Sequence, residues 1–409
     1  MYILFDLVVI LFAFMKNIVL KSLVGLISIF ALTFLLYNCG NKQNKINIVH
    51  SKKENIVKGL TIDTIKIIPK ALSGEGYFVL EENNILYFDE VFATVSIFDL
   101  NGNYISTKLG LGQGPNEVNG LQQYLRFNDK RLVFKGFNVY SFDKNWNKTD
   151  FFRINWGDHH SLNELSRNPN PEYQDLYEVK YFENKYEKID DKHIIFNIET
   201  SHPNYNFCTT KEYYSTSRIF AKLNIETHKV DGVFGRKSDK YLNYNLLPIY
   251  DYHYYDIAND IMYINFEPDY LIYTYDRNHK PLKAFGVPGK IINDRYLQTF
   301  NFKDYENNFY TDRSWKGYYC HLKYIGETNY LFRNYHIGRK EIGDEDAPNP
   351  LGLQIYYNEN LIGDLKIPPK FKIIGYRKPW YYADGYVNET GENIVVGFYR
   401  FKLNFENAL

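Results

Sequence analysis

Four stretches of this 409-residue chain hold residue types suited to chemistry. Asp158-His159-His160 offers a carboxylate beside two imidazoles, the ligand types of a zinc-like site. Adjacent histidines in an extended loop rarely converge on one ion, so the stretch reads as an ordinary polar loop. Asp344-Glu345-Asp346 offers hard oxygen ligands for Ca²⁺. It lacks the spaced ligands of an EF-type loop and reads as a solvated connection. Gly110, Gly112 and Gly114 invite comparison with a phosphate cradle. No Lys-Ser/Thr ending and no helical pattern follow, so these glycines, with Pro115 and Glu117, read as a structural corner. Tyr250-Asp251-Tyr252-His253-Tyr254-Tyr255 is an aromatic run of the kind found at sugar- and peptide-binding platforms. Tyr252, His253 and Tyr254 are its candidate ligand contacts, although packing between neighbouring sheets is the favoured reading. No G-x-S-x-G, H-E-x-x-H or C-x-x-C pattern occurs, and neither a metal nor a cofactor is expected.

The elements that must position these residues are strands. Tyr and Phe, with 39 and 30 copies, favour pleated structure. One unit sets the grammar: Ile97-Phe98 ends a strand, Asp99-Leu100-Asn101-Gly102 turns, and Tyr104 to Leu109 returns. The unit recurs at Asp143, Asn224, Asp276 and Asn358, and a terminal run from Gly397 to Leu403 lacks its hairpin. Three of the hairpins end in an apolar-Gly pair, at Gly110, Gly235 and Gly286, which fall 11, 11 and 10 residues after their markers. Further strands precede each unit, as at Gly76 to Leu80, Tyr181 to Tyr186 and Tyr318 to Ile325. Each repeat is then a four-stranded meander, and six repeats predict a six-bladed β-propeller. Two long intervals read as insertions at 155–171 and 200–216, and at 291–315 and 344–350. Closing the ring needs the chain ends to meet, so Leu60 to Pro69 should pair with the last blade near Phe398 to Leu403. That register places a blade between Cys208 and Cys320, which predicts separate thiols.

The first forty residues have another character. Lys16 and Lys21 precede an apolar run from Leu23 to Leu36, which ends at Cys39. The run resembles the lipobox of bacterial lipoproteins, which implies that Cys39 is lipidated, although Asn38 replaces the usual small residue before it. Residues 1–38 then read as a signal or membrane segment, with translation starting at Met1 or Met15. Residues 39–58 read as a polar tether, and 59–409 as the propeller. Forty-eight basic and 48 acidic residues balance, which gives no support for a nucleic-acid partner.

Taken with Gly112-Gln113-Gly114-Pro115-Asn116-Glu117, these features resemble the six-bladed β-propeller lipoproteins of Bacteroidetes, related in shape to NHL-type and TolB-like propellers. Members typically carry a G-x-G-P-x-E corner after the first outer hairpin. The resemblance implies an all-β propeller in the cell envelope, attached to a membrane by its lipid. It leaves two functions open. One is a binding or scaffold module for a peptide, glycan or protein. The other is a hydrolase or lyase with its site in the axial channel, where NHL-type lyases hold a metal through His.

Overall fold

A computed structural model describes residues 46–67, 72–157, 160–339, 349–390 and 393–406. Cys39, Asp158, His159 and Asp344 to Asp346 lie outside the described residues, as does most of the signal and tether region. The body, Ile48–Leu409, is a ring of six antiparallel sheets. Blade 1 is Gly76–Glu81, Asn84–Asp89, Thr94–Asp99 and Tyr104–Leu109, numbered from the axis outwards. Blade 2 runs from Gln123–Phe127 to Lys148–Arg153, blade 3 from Glu178–Val179 to Val230–Phe234, blade 4 from His253–Ala258 to Pro281–Phe285, and blade 5 from Tyr318–Ile325 to Asn360–Ile367. Blade 6 has three strands from the C-terminal end of the chain, Lys372–Arg377, Trp380–Thr390 and Asn393–Phe405. Its fourth is Val57–Ile67, with Leu60 opposite Leu403 and Ile65 opposite Phe398. The predicted closure is therefore observed, and pairing a terminal strand across the ring leaves no sheet open between first and last blades.

The second strand of each blade is covered on both faces by its neighbours, so it loses the usual in-out alternation. Ile85, Leu86, Tyr87 and Phe88 are consecutive and all buried. Burying each such side chain contributes about 1.5–3 kcal/mol. Arg333 is the largest fully buried side chain. It joins blades 4 and 5 by donating to the Tyr270 carbonyl at 2.7 Å, the Val287 carbonyl at 3.1 Å and the Tyr356 hydroxyl at 2.9 Å.

The repeated hairpin has a common cause. Asp99, Asp143 and Asp276 each turn a carboxylate back on their own loop. Asp99 Oδ1 accepts from the amides of Asn101 and Asn103 at 2.8 and 2.9 Å. Asp143 does the same with Asn145 and Asn147, and Asp276 with Asn278 and Lys280. Blade 5 turns instead on Asn358 and Glu359, both at positive φ.

Two stretches differ from expectation. The second half of the tether is a strap on the ring's outer edge. The Val49 amide donates to Ala284 at 2.8 Å, and the Ser51 hydroxyl accepts from Gly286 at 3.0 Å. The Leu361 amide then donates to Lys52, and Glu54 to Leu361, both at 2.9 Å. Outer strands leave an unpaired row of polar groups, and the strap satisfies it on blades 4 and 5. Second, the innermost strand of blade 3 is not continuous from Tyr181 to Tyr186. Glu178–Val179 and Tyr186–Lys188 both pair with His193–Glu199, while residues 181–185 leave the sheet.

In a four-stranded meander, the second-to-third connection and the link to the next blade leave from the same end. The helices Leu162–Arg167, Glu212–Thr216 and Phe302–Trp315 all lie in such connections. These three helical insertions therefore share one face of the ring, and the short polar hairpins occupy the other. Cys208 and Cys320 are free and buried, as the blade register predicts. No helix among the described residues is long and apolar enough to cross a membrane.

Candidate functional site in the axial channel

Six innermost strands converge on the ring axis and enclose a cavity of about 380 Å³. Its wall takes residues from every blade, among them Tyr77, Tyr124, Lys185, Tyr254, His321 and Lys372. These strands are rich in charge for so enclosed a place, and the charges are arranged in compensating groups.

Toward the hairpin face, Glu81 of blade 1 takes three partners from blade 2. Arg126 reaches it at 3.2 Å, Arg131 Nε at 3.1 Å, and the Tyr124 hydroxyl donates to it. Across the axis, buried Asp256 accepts from Lys185 at 2.9 Å, Lys323 at 3.0 Å and the Tyr324 amide at 2.8 Å. Burial alone would raise the Asp256 pKa. The two ammonium groups outweigh it and hold the carboxyl below its ordinary range. Lys185 also meets Glu187 at 2.7 Å. Burial would lower the Lys185 pKa, but Asp256 and Glu187 outweigh it and hold the ammonium charged.

Toward the insertion face a second network packs behind the wall. Arg313, from the helix Phe302–Trp315, grips Glu267 through two bonds of 2.9 and 2.8 Å. Glu267 also accepts from the Tyr254 hydroxyl at 3.1 Å. Lys237 meets Asp251 at 2.6 Å, and Lys180 meets Glu199 at 3.2 Å. The aromatic run splits across this network. Tyr252 lies between Lys180 and Arg313, whose charged groups stand 4.7 and 5.0 Å from its ring centre, and it does not line the cavity. Tyr250 and Tyr255 spend their hydroxyls on backbone carbonyls. His253 and Tyr254 do line the cavity. The His253 ring nitrogen Nε2 lies 2.9 Å from the Asn197 amide. Burial, with Lys237 and Lys180 nearby, pushes its pKa well below the ordinary value, so it is neutral.

The wall groups outside these networks are few. The Tyr77 hydroxyl is buried with no hydrogen-bond partner among the described residues. His321 packs edge-on to Tyr254, and enclosure plus the charge of Lys372 pushes its pKa down, so the imidazole is neutral near pH 7. Lys372 is exposed to the channel, and so is Glu183, which stands at φ 54° in the interrupted blade 3 strand. Asp384 stands in the second strand of blade 6, opposite Lys372. Burial raises its carboxyl to about 6, with Lys372 and the Phe78 and Gly385 amides opposing the rise.

The other sequence candidates lie elsewhere. His160 Nδ1 meets Asp175 at 3.0 Å, and its ring stacks on Tyr173 at 3.6 Å. Among the described residues no group of three or more His, Cys, Asp or Glu is placed to hold a metal. The glycine corner sits outside the channel. Glu117 accepts from the Gly114 amide at 2.7 Å, while the Lys148 ammonium donates to the carbonyls of Gly114 and Glu117 at 3.2 and 2.6 Å. A side chain at Gly112 would collide with the Glu117 carboxylate. The corner thus fastens blade 1 to blade 2.

Sequence reasoning missed Lys185, Asp256, Lys323, His321, Lys372 and Glu183. One signal was available. Asp256 stands within His-Tyr-Tyr-Asp-Ile-Ala, and His321 and Lys323 within Tyr-Tyr-Cys-His-Leu-Lys-Tyr-Ile. A charge inside an apolar strand needs a buried partner or a lumen to face.

No protein-family model matches the chain, and no curated protein matches it in sequence. Solved structures do match in shape. A DUF4221 family member from Bacteroides vulgatus aligns over 86% of this chain and 100% of its own, with TM-score 0.61 and 15% identity. A protein from Bacteroides fragilis, described as exported, aligns over 88% of this chain and all of its own, with TM-score 0.54 and 11% identity. At these identities the likeness is one of fold: this chain is built as a six-bladed propeller similar to those two Bacteroides proteins.

Proposed function

We propose that this protein is a lipid-anchored propeller of the cell envelope that works as a binding module, with its ligand seated in the axial channel. The observation behind this reading is the state of the wall. Glu81, Glu187 and Asp256 are held by Arg or Lys, and His253 is neutral and engaged with Asn197. General acid–base work needs a group near its working pKa within reach of the substrate. Asp256 is instead held ionised and His253 neutral, while Glu81 and Glu187 are engaged in ion pairs, which suits recognition. The exported Bacteroides fragilis relative and the lipobox-like Leu36-to-Cys39 segment support the envelope location.

The test separates binding from turnover. The purified full chain and a Val79→Trp variant that fills the channel are each incubated with the small molecules of an envelope extract. Mass spectrometry then compares retained and free fractions. Compounds retained unchanged by the native protein and released by the variant support the binding module. New product masses that depend on the open channel favour a hydrolase or lyase. Identical fractions for both proteins overturn the channel as the site.

A further inference from the structure

We infer that the channel ligand is an uncharged saccharide, held at the mouth by the interrupted strand of blade 3; this rests on the binding reading above. The first ground is charge. The fixed ions of the wall close on one another: Glu81 with Arg126 and Arg131, and Asp256 and Glu187 with Lys185 and Lys323. Lys372 and Glu183 add one charge of each sign. Four carboxylates against five cations leave the lumen close to neutral, which gives little advantage to an ionic ligand that would lose its hydration on entry.

The second ground is the mixture of groups left to bond a ligand. Gln123 and Asn184 bring amides, Glu183 a carboxylate and Lys372 an ammonium. His321 is neutral and offers one donor and one acceptor. Sugar hydroxyls each donate and accept, so a saccharide satisfies such a mixed wall. A cavity of about 380 Å³ lies at the small-ligand end of the usual range.

The third ground is the loop itself. Blade 3 alone gives up its inner pairing over residues 181–185. The loop is fastened at both ends by paired lysines. Lys180 is held by Glu199 and by the Asp251 carbonyl at 3.2 Å, and Lys185 by Asp256 and the Tyr255 carbonyl at 2.9 Å. Between these fastenings stand Tyr181 and Phe182, 73% and 60% exposed, with ring planes at 89°. The next residues, Glu183 to Lys185, line the cavity. Two large aromatics held out in water on a fixed loop cost solvation unless something covers them. The carbon-bound hydrogens of a pyranose face supply that cover while its hydroxyls turn to the polar wall.

The experiment uses saturation-transfer NMR on the full chain in a detergent without a sugar headgroup. The probes are cellobiose, maltose and N,N′-diacetylchitobiose, with glucuronate and glucosamine as charged counterparts and trialanine as a peptide. The expected result is saturable transfer to ring hydrogens of at least one neutral disaccharide, stronger than to either charged sugar. Phe182→Ala and Glu183→Gln, both at exposed positions, should weaken it about tenfold or more with an unchanged thermal midpoint. Transfer that is equal in Phe182→Ala and the native protein overturns the loop's role. Saturable binding of trialanine alone overturns the saccharide and leaves the binding module standing. Silence from all six probes overturns the saccharide, and the extract experiment then judges the binding module separately.

Discussion

Lys185 of blade 3 reaches Asp256 of blade 4 across the blade boundary at 2.9 Å. Asp256 is also bonded to Lys323 of blade 5, so one carboxylate ties three successive blades at the channel wall. Its side chain is 1% exposed while the two lysines are about one-third exposed. The carboxylate is therefore the member that cannot be lost. Asp256→Asn leaves two ammonium groups facing each other, and breaking such a pair costs about 3 kcal/mol. The variant should unfold at a lower urea midpoint. The Asp256 pKa is depressed in the fold, so its stabilisation is complete above the unfolded value near 4 and fades as pH falls further. The difference between native protein and variant should shrink below about pH 4. A gap that stays constant to lower pH would contradict the assignment.

The turn after the outer strand of blade 4 depends on Gly286, at φ 148°. A methyl group there would lie 2.3 Å from the Tyr270 carbonyl oxygen, a backbone atom that cannot swing away. Gly232, in the outer strand of blade 3, has open space in the same direction. Gly286→Ala should cost more than about 2 kcal/mol, while Gly232→Ala stays within about 0.5 kcal/mol. Equal thermal midpoints would show that blade 4 accommodates the methyl group by moving.

The strap and the closing strand make separable contributions. Deleting the residues before Ile48 should leave the thermal midpoint unchanged. Deleting through Ile56 removes the bonds from Val49, Ser51, Lys52 and Glu54, each worth about 0.5–1.5 kcal/mol. Deleting through Ile67 also removes the fourth strand of blade 6 and with it the ring closure. That loss is comparable with the roughly 5–15 kcal/mol that holds a domain together. Three deletions with one midpoint would mean that the ring holds without its seam.

What was legible in the sequence is what local chemistry decides. Asp99, Asp143 and Asp276 announce their turns because each carboxylate bonds amides two and four residues ahead. Blade count followed from those turns, and closure from the alternation of Leu60 to Pro69. The channel wall was hidden because distant partners make it. Lys180 meets Glu199 and Asp251, and nothing near residue 180 reports those carboxylates. The run from Tyr250 to Tyr255 looks like one platform as text. Each side chain, however, meets a different element: Tyr252 meets Lys180 and Arg313, His253 meets Asn197, and Tyr254 meets Glu267.

Asp384 gives the fold a pH response of opposite sign to that of Asp256. Burial raises its carboxyl to about 6, above the unfolded value near 4. The folded state then binds the proton more tightly than the unfolded chain. Its contribution favours folding at low pH, declines as pH rises from about 4 to about 6, and is a standing penalty above that. Asp384→Asn removes the charge and keeps an acceptor for the Phe78 or Gly385 amide. At pH 8 the variant should be more stable than the native protein by about 1–2 kcal/mol, an upper range set by the two-unit shift less the lost bonding. At pH 4 the advantage should vanish. Chemical unfolding of both proteins from pH 4 to pH 8 decides the matter. A variant less stable than the native protein throughout would show that the ionised carboxylate is needed at the junction of blades 6 and 1.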